Sequence, residues 1–427
     1  MLSSLQAAFR VPDLRRRIMF VMGMFALYVA GLHIPVSSRV ISPESLQNLG
    51  GLINLIDAFT GGALKKFSIF AVGITPYINA SIIMQLLVIA VPQIEELSKE
   101  GEAGQKKIRL YTRWLTGILA FVQAVGMTAY IRGGGIDIST AQFIQIAIVL
   151  TGGTAFLMWI GEMITDKGIG NGVSLLIFGG ILASLPVQIS ELTEKLKAHS
   201  IQWYNAAGLV IAFLLTVVAI VAVTQAQRKI PIQHAKRVAG HKVYGGHRTY
   251  LPLRVNSAGV IPIIFAVSLQ FLPSTIAQWI PPSSSLHNVF NSIAIALTPG
   301  LKQPIGTIVY AGLVIFFTYF YTAVTFNVPE VADNLKKYGS VIPGYRPGKP
   351  TMEYLDRVMT RITLAGAVFL ALIALAQYIV PDLVGVGHTS FRLVGGTSLL
   401  IVVGVALETM QAIEAQLTMR HYEGFIK

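Results

Sequence analysis

The chain has 427 residues, of which 53% are hydrophobic and only 12% charged, and its mean hydropathy is +0.64. That excludes a soluble globule of this length and indicates an all-α integral membrane protein. A net charge of +13 would suggest nucleic acid in a soluble chain, but in a membrane Lys and Arg first set topology, and the absence of cysteine excludes disulfides and thiolate chemistry.

Taken in chain order, Arg15-Arg16-Arg17 precede an apolar run over 18–35. The run resembles a secretory signal but is long and lacks a small-residue cleavage site, so it reads as a retained first span. Residues 52–64 are apolar but too short to cross roughly 30 Å of hydrocarbon. This segment holds Ile53, Leu55, Ile56, Asp57 and Phe59 and is broken off by Gly61-Gly62 and Lys65-Lys66. It reads as a re-entrant half-helix, which needs protein or a water-filled cavity around it, with a surface loop as the alternative.

Further apolar runs lie near 67–91, 111–131, 143–164, 173–189, 206–223, 257–279, 306–326, 362–379 and 393–410. With the first span they make ten, five in each of two halves, 1–205 and 206–427. An odd number per half runs equivalent helices in opposite directions, the inverted-repeat arrangement. Of the 33 Lys and Arg, 25 fall on the side of the N-terminus, which predicts that both termini are cytoplasmic.

Two strings recur in the same order in both halves. Gly73-Ile74-Thr75-Pro76-Tyr77-Ile78 shares Gly-x-x-Pro-x-Ile with Gly259-Val260-Ile261-Pro262-Ile263-Ile264, and Gly172-Val173-Ser174-Leu175-Leu176-Ile177 shares Gly-x-Ser-Leu-Leu-Ile with Gly396-Thr397-Ser398-Leu399-Leu400-Ile401. Repeated halves of a polytopic protein meet at a central pathway. Ile78, Ile264, Ile177 and Ile401 therefore occupy equivalent places, either along that pathway or in ordinary interhelical packing.

Two loops on the cytoplasmic side are long and basic. The first, about 227–256, holds Arg228, Lys229, Lys236, Arg237, Lys242, Arg248 and Arg254, interrupted by Pro231, Gly240 and Gly245-Gly246, and should project as a structured finger. The second, about 327–357, holds Lys336-Lys337 and the turn-rich Pro343-Gly344-Tyr345-Arg346-Pro347-Gly348-Lys349. Topology and anionic lipid explain the sign of these loops but not their length and turn chemistry.

Catalytic patterns fail in turn: there is no His-Glu-x-x-His helix and no nucleophile elbow, and the glycines over 168–172 lack a P-loop lysine and connect spans four and five. No enzyme, metal site or cofactor is indicated. Glu162, Asp166, Glu330 and Glu408 sit at predicted cytoplasmic helix ends, where water reaches them, so an ion-coupled relay through the bilayer is weakly supported.

The string from Ser68 to Leu87, SIFAVGITPYINASIIMQLL, resembles the second-helix signature of the SecY family of translocon subunits, and Trp159 to Phe178 resembles the family's other signature. The likeness continues through Ala332-Asp333-Asn334-Leu335-Lys336-Lys337, the Pro343 to Gly348 turn and Gly395 to Leu400, so it covers essentially the whole chain. It implies ten helices around an hourglass pore in the bacterial inner membrane. Such a channel passes unfolded secretory chains and releases hydrophobic segments sideways into lipid.

By the same resemblance the pore is closed at its waist by apolar side chains at Ile74, Ile78, Ile177, Ile264 and Ile401, with Val173 adjoining. Residues 52–64, including Gly61 and Gly62, match a plug. Spans two and three face seven and eight at a lateral gate, where Asn79, Gln85, Gln123 and Gln270 would either bridge the seam or serve as packing. The basic loops, through Arg228, Lys229, Lys236, Arg237, Lys242, Arg248, Lys336, Lys337, Arg346 and Lys349, would dock the SecA ATPase or the ribosome. His241-Lys242 stands where relatives often carry an arginine pair, which weakens the expected grip on rRNA. SecE and SecG are implied as small companion subunits, signal peptides and nascent polypeptides as clients, and anionic lipids as surroundings. A small-solute carrier with alternating access is the competing reading, and it should show a polar or charged midplane site.

Overall fold

A computed structural model describes residues 9–36, 62–64, 66–133, 138–234, 237–239, 242–244, 248–280, 284–300, 303–384 and 397–423. Helices occupy all ten predicted positions: α1 Pro12–Leu32, α2 Thr75–Ala90 with its continuation α3 Pro92–Lys99, α4 Glu102–Gly133, α5 Thr140–Lys167, α6 Gly172–Lys197, α7 Trp203–Gln225, α8 Ile261–Trp279, α10 Pro304–Thr325, α12 Lys349–Leu383 and α13 Thr397–Glu423. Two further helices, α9 Ser285–Leu297 and α11 Val328–Lys337, lie between them. Among the described residues seven helices are long and apolar enough to cross a membrane. The α2/α3 pair, bent by 99°, makes an eighth. The remaining two are α1, which opens with Arg15-Arg16-Arg17, and the short α8.

Span two starts later than the apolar run predicts. Residues 67–74 form buried turns, because Phe67 (φ 45°) and Gly73 (φ 66°) are left-handed and no helix can pass through them. The chain is pinned there: the Val36 N–H donates to Phe67 O (2.9 Å), the Ile69 N–H to Ile34 O (3.0 Å), and Thr154 Oγ1 of α5 to Gly73 O (3.3 Å). Stacked rings of Tyr28, Phe70, Phe156 and Trp159 tie α1, this turn and α5 together.

The first repeated string has the same backbone in both halves. Gly73 and Gly259 take φ of 66° and 64°. The next residues, Ile74 (φ −94°, ψ 1°) and Val260 (φ −95°, ψ −12°), cap helices whose proline falls in the first two positions. Proline suits those positions because its missing N–H has no intrahelical partner there. In the second string, Gly172 opens α6 under an Asn171 cap, whose Oδ1 accepts from the Val173 and Ser174 N–H groups (3.0 and 3.2 Å). Its counterpart Thr397 opens α13, and Gly396 lies outside the described residues.

The N-terminal helices α1, α2, α4, α5 and α6 pack mainly on one another, as do α7, α8, α10, α12 and α13. The two sets meet along two seams, α8 against α2 and α4, and α6 against α7 and α13. The largest cluster of buried apolar side chains runs through both, from Leu157, Ile160 and Ile177 to Ile263, Phe317 and Leu400.

The two basic loops are not independent. Strands β1 Gln227–His234 and β4 Arg248–Arg254 form the base of the predicted finger, and β2 Arg237–Ala239 pairs with β3 Lys242–Tyr244 beyond it. Strand β5 Ser340–Val341, from the second loop, pairs antiparallel with β1 to give the order β4-β1-β5. A small core of Ile230, Leu253, Ile342, Leu355 and Met359 glues this sheet to α12. Sheet and loops project from one end of the helical bundle, here called the sheet end.

Candidate functional site: an apolar cavity between the halves

A cavity of about 580 Å³ opens between the two halves, walled by α2, α4, α8 and α10 and by the N-terminal parts of α6 and α13. All five isoleucines singled out in the sequence line it: Ile74, Ile78, Ile177, Ile264 and Ile401. Ile74, Ile177 and Ile401 are buried, Ile78 and Ile264 half-buried. Val173 does not line it and packs into the core beside it. The repeated backbone explains this convergence, since the left-handed glycine and following proline set the roll of α2 and α8 and so aim Ile78 and Ile264 inward from opposite sides.

Among the described residues the lining contains no Asp, Glu, Lys, Arg or His; its polar groups are Thr75, Asn79, Gln123, Tyr130, Ser268 and Thr397. Such a wall offers no fixed site for an ion or a charged solute, and water leaves a narrow apolar passage readily. Sequence reasoning missed Ile263 and Thr397, which also line the cavity. Both stand inside the repeated strings, so the signal was present. Thr397 Oγ1 donates to Gln377 Oε1 (2.9 Å), which anchors the first turn of α13 to α12.

The four polar positions assigned to the seam separate in space. Asn79 and Gln123 line the cavity on α2 and α4. Gln85 instead donates to Ser81 Oγ within its own helix (3.3 Å). Gln270 turns away from the N-terminal half: its amide donates to the carbonyls of Leu297 and Gly306, at the end of α9 and the start of α10. It joins elements of one half and does not bridge the seam in this structure. A polar residue on a helix facing the seam has several neighbours, and Leu297 O, at the C-terminal end of α9, is one of the carbonyls a helix leaves without an intrahelical donor.

Of the plug positions, Ile53, Leu55, Ile56, Asp57, Phe59 and Gly61 lie outside the described residues. Gly62 is described, in a left-handed turn (φ 84°), and the buried Leu64 lines the cavity. Of the acidic residues at helix ends, Glu162 is ion-paired with Arg113 of α4, Nε to Oε1 and Nη2 to Oε2, both at 2.6 Å. This bidentate contact staples α4 to α5. Asp166, Glu330 and Glu408 are exposed.

At the sheet end Arg228, Lys229, Lys336, Lys337, Arg346 and Lys349 are exposed; Lys236 lies outside the described residues, and Arg237, Lys242 and Arg248 fall in strands. The turn carrying Arg346 is stiff. Gly344 and Gly348 take φ of 89° and 96°, Tyr345 stacks on Tyr354 at 4.1 Å, and Thr351 Oγ1 donates to Arg346 O (2.8 Å). Tyr338, 79% exposed, adds an aromatic ring beside Lys336 and Lys337.

The SecY family model matches residues 68–410. The protein translocase subunit SecY of Mycobacterium tuberculosis is 45% identical to this chain, with 100% of each covered. Among solved structures, one described as "The structure of a protein conducting channel" aligns with a TM-score of 0.67 at 19% identity, covering 96% of both chains. Sec61 in the canine ribosome-channel complex from the endoplasmic reticulum aligns with a TM-score of 0.64 at 18% identity, again covering 96% of both. From the signature strings through the paired halves to the full-length identity, these observations agree: the chain belongs to the SecY family of protein translocase subunits.

Proposed function

We propose that this chain forms a protein-conducting channel that passes unfolded polypeptides across the bacterial cytoplasmic membrane and releases hydrophobic segments into lipid between α2/α4 and α8/α10. The single observation that carries this reading is the convergence of Ile74, Ile78, Ile177, Ile264 and Ile401, from both halves, on one uncharged cavity. An apolar ring dewets against ions and still deforms around a peptide, because it binds nothing specifically. Sideways release then follows from partition: each leucine-like residue favours lipid by about 0.5 kcal/mol, whereas one central arginine costs about 2.5–3.5 kcal/mol. In this reading residues 52–64 are the resting plug, Asn79 and Gln123 are polar groups of the gate, and the halves divide near residue 205.

Both termini and the basic sheet face the cytoplasm in this proposal, where the excess of Lys and Arg belongs. The sheet end is then the dock for the SecA ATPase or the ribosome, with Arg346 on its braced turn offering a planar fork to carboxylate or phosphate. The likeness to Sec61 in a ribosome-channel complex supports the second partner. SecE and SecG complete the proposed membrane complex. The carrier reading is weaker, because no charged group among the described residues lines the cavity.

The chain has no cysteine, so Ile78→Cys gives a probe without background. A stalled secretory substrate carrying single cysteines should form disulfides with it in a translocation intermediate. Absence of that crosslink, with crosslinks forming elsewhere on the protein, would remove Ile78 from the path and revive the carrier.

A further inference from the structure

Helix α8 ends at Trp279, and α9, Ser285–Leu297, turns back along it. His287, near the start of α9, bonds the end of α8. Its Nδ1 contacts Ala277 O (2.9 Å) and Ile280 O (3.2 Å), and since a carbonyl only accepts, Nδ1 carries the proton and donates to both. Leu297, at the other end of α9, comes to lie beside Gln270 in the middle of α8. The two helices are therefore antiparallel, and α10 begins close to the level of Gln270.

Gln270 is the junction of all three helices. Its buried amide donates to Leu297 O and to Gly306 O (3.2 Å), one N–H for each carbonyl. The ends of α9 and α10 meet there so closely that a Cβ on Gly306 would stand 2.5 Å from Thr298 O and 2.6 Å from Leu297 O. The Gly300 N–H donates to Thr307 Oγ1 (3.0 Å) and braces the turn between them. Nearer the sheet, the Phe265 ring meets Phe317 and Tyr321 of α10 edge to face, at 5.6 and 6.3 Å. On the seam, by contrast, α8 presents Ile264, Val267, Leu269 and Leu272 to the cavity. Directed bonds and ring contacts thus join α8 to α9 and α10, while a mainly apolar opening separates it from α2 and α4.

We propose that Gln270 is a positioning residue of the channel. It ties α8, α9 and α10 into one wall of the seam, so that the seam parts between α8 and the α2/α4 pair while α8 keeps its place on α10. A buried amide bonded to backbone carbonyls has no solvent partner to exchange with, so the tie persists as the wall moves. Without it α8 is held to α10 by the aromatic contacts alone, and its movement carries Ile263 and Ile264 with it, which loosens the cavity lining from one side. The parting of the seam rests on the channel reading; the tie stands on geometry alone.

Two substitutions test it in the full chain in lipid nanodiscs: Gln270→Met, of nearly the same length but without a donor, and Gly306→Ala, which pries the junction open from α10. Each background carries a nitroxide pair, Leu272→Cys on α8 with either Val324→Cys on α10 or Trp114→Cys on α4, all exposed positions. Each is used once its gel-filtration profile matches the unlabelled protein. Distances are read by double electron–electron resonance, with and without a synthetic peptide carrying a polyleucine segment. In the unaltered background the α8–α10 distribution should be narrow and the same with peptide, whereas the α8–α4 distance should lengthen. Both substitutions should broaden the α8–α10 distribution severalfold; Gln85→Met, which removes a bond inside α2 only, should not. An α8–α10 distribution as narrow in both variants as in the unaltered background overturns the proposal, and so does an α8–α10 distance that shifts with peptide. Broadening in the variants, with no response of the α8–α4 distance to peptide, upholds the tie and counts against the channel reading instead.

Discussion

Gly259 illustrates how one residue sets the site. Its left-handed backbone (φ 64°) turns the chain into α8, which begins two residues later, and a Cβ there would stand 3.1 Å from Glu408 Oε1. Left-handed backbone costs a side-chain-bearing residue roughly 1–2 kcal/mol. Gly259→Ala is expected to lower the thermal unfolding temperature of the purified protein. Gly312→Ala is the control: this glycine lies inside α10 with nothing within 4 Å of a new Cβ, and alanine gains about 0.5–1 kcal/mol in a helix. Melting of Gly259→Ala at the wild-type temperature would mean that the turn does not need its left-handed residue. The Gly-x-x-Pro spacing was legible in the sequence because the constraint is local.

At the scale of elements, the sheet is the part that hydropathy did not reveal. The Val255 N–H donates to Ala226 O (3.0 Å), and alternation along the β1/β4 ladder then puts Lys229 opposite Pro252 and Pro231 opposite Tyr250 at positions without mutual hydrogen bonds. Each proline therefore removes an N–H that would have pointed out of the pair, which blunts the edges against stray strand addition. Ile230, fully buried in the small core under the sheet, is the natural point of attack. Ile230→Ala should cost about 2–5 kcal/mol locally, enough to loosen the sheet while the helical bundle stays folded. Limited trypsin digestion should cut the basic loops faster in this variant and leave the bundle fragments unchanged. An unaltered cleavage rate would show that pairing of β1 with β4 and β5 holds the loops without that core.

For the whole molecule, the proposed channel depends on two halves meeting at an apolar waist. Ile401, 1% exposed in the second turn of α13, lines the cavity from the C-terminal half. Ile401→Asn places a hydrogen-bonding amide in the apolar lining and should wet it. Single-channel recording in planar bilayers should then register a higher resting ion conductance than in wild type. An unchanged conductance would mean that the isoleucines do not form the ion seal. The same substitution at Ile305, exposed on α10, serves as the lipid-facing control.

The sequence by itself determined the membrane class, the ten helical positions, the two repeated strings and the family. Those signals are local or compositional: a span must satisfy its backbone internally, and a glycine-proline spacing fixes its own turn. The tertiary structure decided matters that depend on residues distant in the chain. It made one sheet of two loops, because β5 pairs with a strand more than a hundred residues away. It turned Gln270 to the carbonyls of Leu297 and Gly306 instead of the seam. Hydropathy gives the depth of a side chain but not its bearing around the helix, and bearing is fixed only when the halves pack.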